Sequence, residues 1–166
     1  MNYKMMGRFI AQILLLEAGF MLPAACVSCY CGEMSAVWAF LWTMLLLCLI
    51  SGVLRFFCKG AKSNFYATDG MVCVALSWLI LSLAGSLPFL FSGAIPRFID
   101  ALFEIVSGFT TTGASILPAV EGLPKGILYW RSFSHWVGGM GVLVFLLAIV
   151  PSTDQGKGFT MHLLRA

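Results

Sequence analysis

The chain has 166 residues, of which 60% are hydrophobic and 10% charged, with a net charge of +3. A soluble domain carries about 25% charged residues, so this composition excludes an ordinary soluble domain. With no basic run interleaved with aromatics, it also excludes a nucleic-acid-binding module, and the length has to be divided among bilayer crossings of about 20 residues each.

Lys4 and Arg8 stand ahead of the first apolar segment. That pattern mimics a signal peptide, but the apolar stretch is long and no convincing small-residue cleavage site follows. An uncleaved membrane helix over 9–30 is therefore predicted. Glu17 lies inside it, and an intramembrane acid is a functional candidate by default. The plainer expectation is a carboxyl hydrogen-bonded to a neighbouring helix. Pro23 is expected to kink the same helix. Cys26, Cys29 and Cys31 cluster at its end, with no His or fourth Cys close by to complete a metal site. A disulfide is open to them if that end faces an oxidising compartment; otherwise they are small apolar helix residues.

A second span is predicted over 34–57 and a third over 69–91, each long enough to cross about 30 Å of hydrocarbon. Residues 96–109, PRFIDALFEIVSGF, are too short to cross. Phe98, Ala101, Leu102, Ile105, Val106 and Phe109 follow helical spacing, so this is a short amphipathic helix. Pro96 suits its first turn, Asp100 its positive N-terminal end, and Gly108 its stop. It reads as a re-entrant helix that enters the membrane, ends halfway, and hands over to an extended segment. Pro118, Gly122 and Pro124 mark the return to the surface. A fourth span follows over 126–150. The fold class is thus an all-α membrane protein with four transmembrane helices, and a re-entrant pore helix and filter loop lie between the third and fourth. The domains are an N-terminal hairpin over 1–62, a helix–loop–helix unit over 63–153, and a cytoplasmic connector over 154–166.

Lys4, Arg8, Arg55, Lys59, Lys62, Lys157 and Arg165 fall on one side of this topology, and only Arg97, Lys125 and Arg131 on the other. Cytoplasmic sides collect Lys and Arg, so both termini are predicted cytoplasmic and the re-entrant loop enters from outside.

The run SGFTTTGAS over 107–115 is the candidate site. Irregular backbone at membrane depth is tolerated only where protein buries it or water wets it. Carbonyl rings offered in place of a hydration shell are how ion filters work. The C-terminal end of the preceding helix carries about half a negative charge from its unpaired carbonyls, which favours a cation. Thr110, Thr111, Thr112, Gly113 and Ala114 are the candidate ion-binding residues. The backbone carbonyls of Thr111, Thr112 and Gly113 are the direct ligands, and oxygen ligands suit hard cations. Gly113 can take backbone angles closed to other residues. Arg131, near the outer end of the fourth span, needs a partner, and Glu104 on the short helix is the candidate, the pair fixing the filter and shaping the outer vestibule; the alternative is an Arg that simply reaches the interface. Gly138, Gly139 and Gly141 allow close helix approach, packing the fourth helix on the loop or giving it flexibility for gating. His135 is expected to be a hydrogen-bonded helix contact, and His162 a surface residue of the tail. Ser and His form no recognisable triad and no Gly-rich phosphate loop is present, so no enzyme is expected.

The motifs LPF at 87–89, FEIVSGFTTTGAS at 103–115 and LPKGILYWRSFSHWVGGMGVLVFLLAIVP at 123–151 resemble the Trk-type potassium uptake proteins of the Trk/Ktr/HKT superfamily. The hairpin ahead of the pore unit resembles Trk proper. The resemblance implies potassium movement across a bacterial plasma membrane, shared with or coupled to sodium or protons, and no cofactor. It implies four helix–loop–helix repeats around one pore, with Thr111, Thr112, Gly113 and Ala114 giving this repeat's share of the filter. It further implies a homodimer of the full-length form, a cytoplasmic nucleotide-binding regulatory subunit, and membrane lipids as surroundings. One repeat supplies about a quarter of a carbonyl ring, so the remaining repeats are expected from a longer chain, of which this is a fragment. The alternative is a non-conducting membrane module that serves assembly or interaction.

Overall fold

In the computed structural model of the chain, residues 3–58 and 67–149 are described, and all their regular structure is helical. The order is α1 (Tyr3–Tyr30), α2 (Met34–Phe57), α3 (Ala67–Phe91), α4 (Phe98–Phe109) and α5 (Lys125–Ile149). Among the described residues, three segments are long and apolar enough to cross a membrane: Tyr3–Tyr30, Met34–Phe57 and Gly70–Phe91. The α5 helix has 25 residues and covers the stretch read as the fourth span. Lys59, Lys62, Lys157, His162, Arg165 and the expected connector lie outside the described residues.

The α1–α2 hairpin closes through a three-residue turn. Gly32 N–H donates to Cys29 O and Glu33 N–H to Ser28 O, which is the Schellman pattern with Gly32 in the left-handed position (φ 74°). Along the hairpin, small residues let the backbones approach, as helices in lipid require. Ala11, Ala18, Ala24, Ala36 and Ala39 are buried, and Ser51 Oγ donates across to Ala11 O at 2.7 Å. The opposite face of α2 exposes Trp38, Trp42, Leu49 and Phe56, a surface suited to acyl chains. Cys26, Cys29 and Cys31 are exposed free thiols at the end of α1.

The hairpin is fastened to α5 by its turn. The Glu33 carboxylate accepts from Lys125 N–H at 2.7 Å and Gly126 N–H at 3.2 Å, so it caps the first turn of a helix 92 residues away. A helix N-terminus leaves such donors unpaired and favours a negative charge. At the same place a Cβ on Gly126 would collide with Ser28 and the carbonyl of Ala24. Glu33→Ala is expected to lower stability by about 1 kcal/mol, the usual worth of an N-terminal cap. Thermal melting in detergent checks this, and Glu33→Asp, which keeps the charge, should lose less.

The core gathers where α1, α3, α4 and α5 meet, around Trp130, Phe89, Met21, Ile105 and Ile127. Trp130 Nε1 donates to Gly85 O at 2.9 Å and fixes α5 on α3. Pro23 and Pro88 both lie inside continuous helices. Glu17 differs from expectation: it is buried, and among the described residues neither carboxyl oxygen has a hydrogen-bond partner. It faces Gly85, where an added Cβ would stand 3.1 Å from Oε1. The expected bond to a neighbouring helix is absent because the surrounding side chains, Ile13, Phe20, Leu81, Phe109, Trp130 and Val137 among them, carry no group aimed at it.

Candidate functional site

The site starts with α4, a helix of 12 residues. Its N-cap is Arg97, so Pro96 lies just ahead of the helix instead of in its first turn, while Asp100 does sit in that turn. The buried face is Ala101, Glu104, Ile105, Ser107, Gly108 and Phe109. Phe98 and Val106, expected on that face, are exposed. In an apolar surrounding, hydrophobicity does not mark the packed side; small and polar residues do.

The helix does not stop at Gly108. It continues through Phe109, and Gly108 is needed for packing, since a Cβ there would strike Ser134 of α5. The reversal comes at Thr111, which has φ 57°. Thr111 N–H donates to Gly108 O at 2.9 Å and Thr112 N–H to Ser107 O at 3.0 Å. This is the same motif that ends α1, with threonine in the place of glycine. A β-branched residue in the left-handed region is a genuine outlier, costing roughly 1–2 kcal/mol, and such strain clusters at functional positions.

The amides of residues 110–113 all point back. Thr110 N–H donates to Val106 O at 2.9 Å, and Gly113 N–H reaches Ser107 O at 3.4 Å beside the two bonds just given. Gly113 is again left-handed (φ 75°). The carbonyls of Val106, Ser107 and Gly108 are thus paired, whereas that of Phe109, the last of α4, has no donor among the described residues. The Thr110 carbonyl accepts from Thr111 Oγ1 at 2.7 Å, and the Ala114 carbonyl from Ser107 Oγ at 2.6 Å. The carbonyls of Thr111, Thr112 and Gly113 have no donor among the described residues. Residues 110–115 are exposed. Donors face inward and acceptors outward, an arrangement that can hold a cation and repels an anion.

Glu104 ties this loop to both helices. Its carboxylate pairs with Arg131 Nε of α5. It also accepts from Ser115 Oγ at 2.9 Å and from Ile116 N–H at 3.2 Å. The Glu104 side chain is fully buried and that of Arg131 is 16% exposed, so one buried charge meets one largely buried countercharge. His135 Nδ1 lies 2.9 Å from Arg131 O within its own helix.

The three glycines of α5 divide. A Cβ on Gly138 would fall onto the backbone of Phe109, the end of α4. A Cβ on Gly141 would stand 3.0 Å from the Trp78 ring. On Gly139 it would meet only the Thr111 methyl at 3.9 Å. Beside Thr110, an apolar groove of about 900 Å³ runs between α3, α4 and α5, lined by Met71, Trp78, Leu102, Val106 and Phe109. Ser107, Ser115 and Glu33 are the structural contributors that the sequence reading did not single out. The two serines lay within the quoted run, but nothing local marked Glu33.

The membrane-length helices define an α-helical membrane protein. The family described as TrkH, cation transport protein, matches residues 37–163, and the chain belongs to that family. The Trk system potassium uptake protein TrkH of Escherichia coli (strain K12) is 34% identical over 167 residues, covering 100% of this chain and 34% of its own length. The protein of the same name from Halomonas elongata is 33% identical over 158 residues, covering 94% of this chain and 32% of itself. The crystal structure of the potassium transporter TrkH from Vibrio parahaemolyticus matches with a TM-score of 0.83 at 35% identity, over 91% of this chain and 32% of that one. The chain spans about a third of the length of these relatives.

Proposed function

We propose that the chain forms one pore repeat of a potassium uptake protein, with residues 110–114 as its share of the selectivity filter. The observation that carries this reading is the inward pairing of the amides of residues 110–113, which leaves the carbonyls of Thr111, Thr112 and Gly113 unpaired and exposed. A desolvated monovalent cation needs oxygen ligands to replace its water, and carbonyls from several repeats supply them. The potassium assignment rests on what the relatives are named for.

In this reading α5 is the fourth span, α4 is re-entrant from outside, and both termini face the cytoplasm, in line with the Lys/Arg distribution. The other repeats come from a longer chain, and the apolar groove beside Thr110 offers one of them a packing surface. A dimer, a cytoplasmic nucleotide-binding regulatory subunit, and a share of sodium or protons in transport belong to the same proposal, as does the bacterial plasma membrane as its place.

The test is potassium uptake in cells lacking their own uptake systems. The chain joined to the three further repeats of a full-length relative should restore growth on limiting potassium, whereas the 166-residue chain alone should not. Gly113→Asp in the joined protein should abolish rescue at unchanged protein level, because a charged side chain would then stand at the exposed left-handed position beside the carbonyl ligands. Uptake by Gly113→Asp equal to the parent would overturn the filter assignment.

A further inference from the structure

We infer that Ser107 is the residue that positions the filter, by deciding which carbonyls of the run are free for an ion. This rests on the filter reading proposed above and adds a residue to it.

Most buried hydroxyls of the other helices supply the contrast, Ser51 with its bond across to Ala11 O being an exception. Ser28, Thr43, Ser77 and Ser82 each donate to the carbonyl four residues back in their own helix. That is the local default for Ser and Thr inside helices. Ser107 is buried in α4 as they are in theirs. Its hydroxyl does not turn back. It reaches seven residues forward and donates to Ala114 O at 2.6 Å.

Both polar ends of Ser107 therefore hold the loop. Its carbonyl accepts Thr112 N–H at 3.0 Å and Gly113 N–H at 3.4 Å, fixing where the run turns. Its hydroxyl takes the Ala114 carbonyl out of the outward row. Glu104 then anchors the next residue, Ser115. The outward row is left with Thr111, Thr112 and Gly113, and Ala114 is not among the ligands. Ion selection by carbonyls depends on their number and arrangement. A freed Ala114 carbonyl would lengthen the row and loosen its far end.

Two measurements test this. In the 166-residue chain, the carbonyl ¹³C resonance of labelled Ala114 should shift in Ser107→Ala and stay near its parent position in Ser107→Thr. In the joined, transport-competent protein, Ser107→Ala should lower the potassium-over-sodium uptake ratio by roughly tenfold, the order of one lost hydrogen bond, and Ser107→Thr should keep it. An unchanged Ala114 resonance in Ser107→Ala overturns the inference, as does an unchanged uptake ratio. So does equal loss of selectivity in the Ala and Thr variants, since the hydroxyl would then not be the acting group. A joined protein that moves no potassium at all strikes the proposed function instead, and the resonance of Ala114 still decides the role of Ser107.

Discussion

Glu104→Ala is expected to lower the stability of the folded chain by about 3–5 kcal/mol, the order found when one partner of a buried ion pair is removed. The change does more than delete a charge. Arg131 is left largely buried without its countercharge, and Ser115 Oγ and Ile116 N–H lose their acceptor. The loop would then be held to α4 through Ser107 and the bonds of Thr110, Thr111 and Thr112 to the last turns of the helix. Glu104→Gln separates the two effects, because its amide oxygen still accepts from the loop but cannot neutralise Arg131. The order of melting temperatures in detergent should be parent, then Gln, then Ala. Removing both charges in Glu104→Gln with Arg131→Gln should recover part of the loss, as a coupled pair requires. An Ala variant that melts with the parent would show that the pair does not hold the loop.

Gly138→Ala is expected to cost about 1–3 kcal/mol through overpacking, although alanine is the better helix former by about 1 kcal/mol. The added methyl has no room, since it would land on the carbonyl and Cα of Phe109. Backbone at the end of a helix cannot step aside as a side chain can. Gly139→Ala should behave in the opposite way. Only the Thr111 methyl is near, at 3.9 Å, so helix propensity decides and the melting temperature should hold or rise. The neighbouring pair is thus its own control. Equal melting of the two variants would mean that α4 does not rest on Gly138.

Much of this arrangement is legible in the residues themselves. Long apolar runs give α1, α2 and α3, and the need of Arg131 for a partner points to Glu104. What the sequence hides has physical reasons. The buried face of α4 carries Glu104, Ser107 and Gly108 while Phe98 and Val106 point outward. Where the surroundings are apolar too, a hydrophobic stripe does not indicate the packed side. Gly108 looks like a stop because glycine ends many helices, yet here Ser134 occupies the space a side chain would need. The reversal falls on Thr111 against its own preference, so no propensity could place it. Glu33 caps a helix that begins 92 residues later, and the missing partners of Glu17 depend on how four helices meet.

The pairing of Glu104 with Arg131 also sets an order on assembly. Arg131 follows Glu104 by 27 residues, so during synthesis α4 is complete before its countercharge exists. A lone carboxylate resists transfer into hydrocarbon. In the topology proposed above, the short helix would wait at the bilayer surface until α5 has been made, and the two would enter together. The loop between them is then tethered at both ends, by Ser107 and Glu104 of α4 on one side and by Arg131 of α5 through Glu104 on the other.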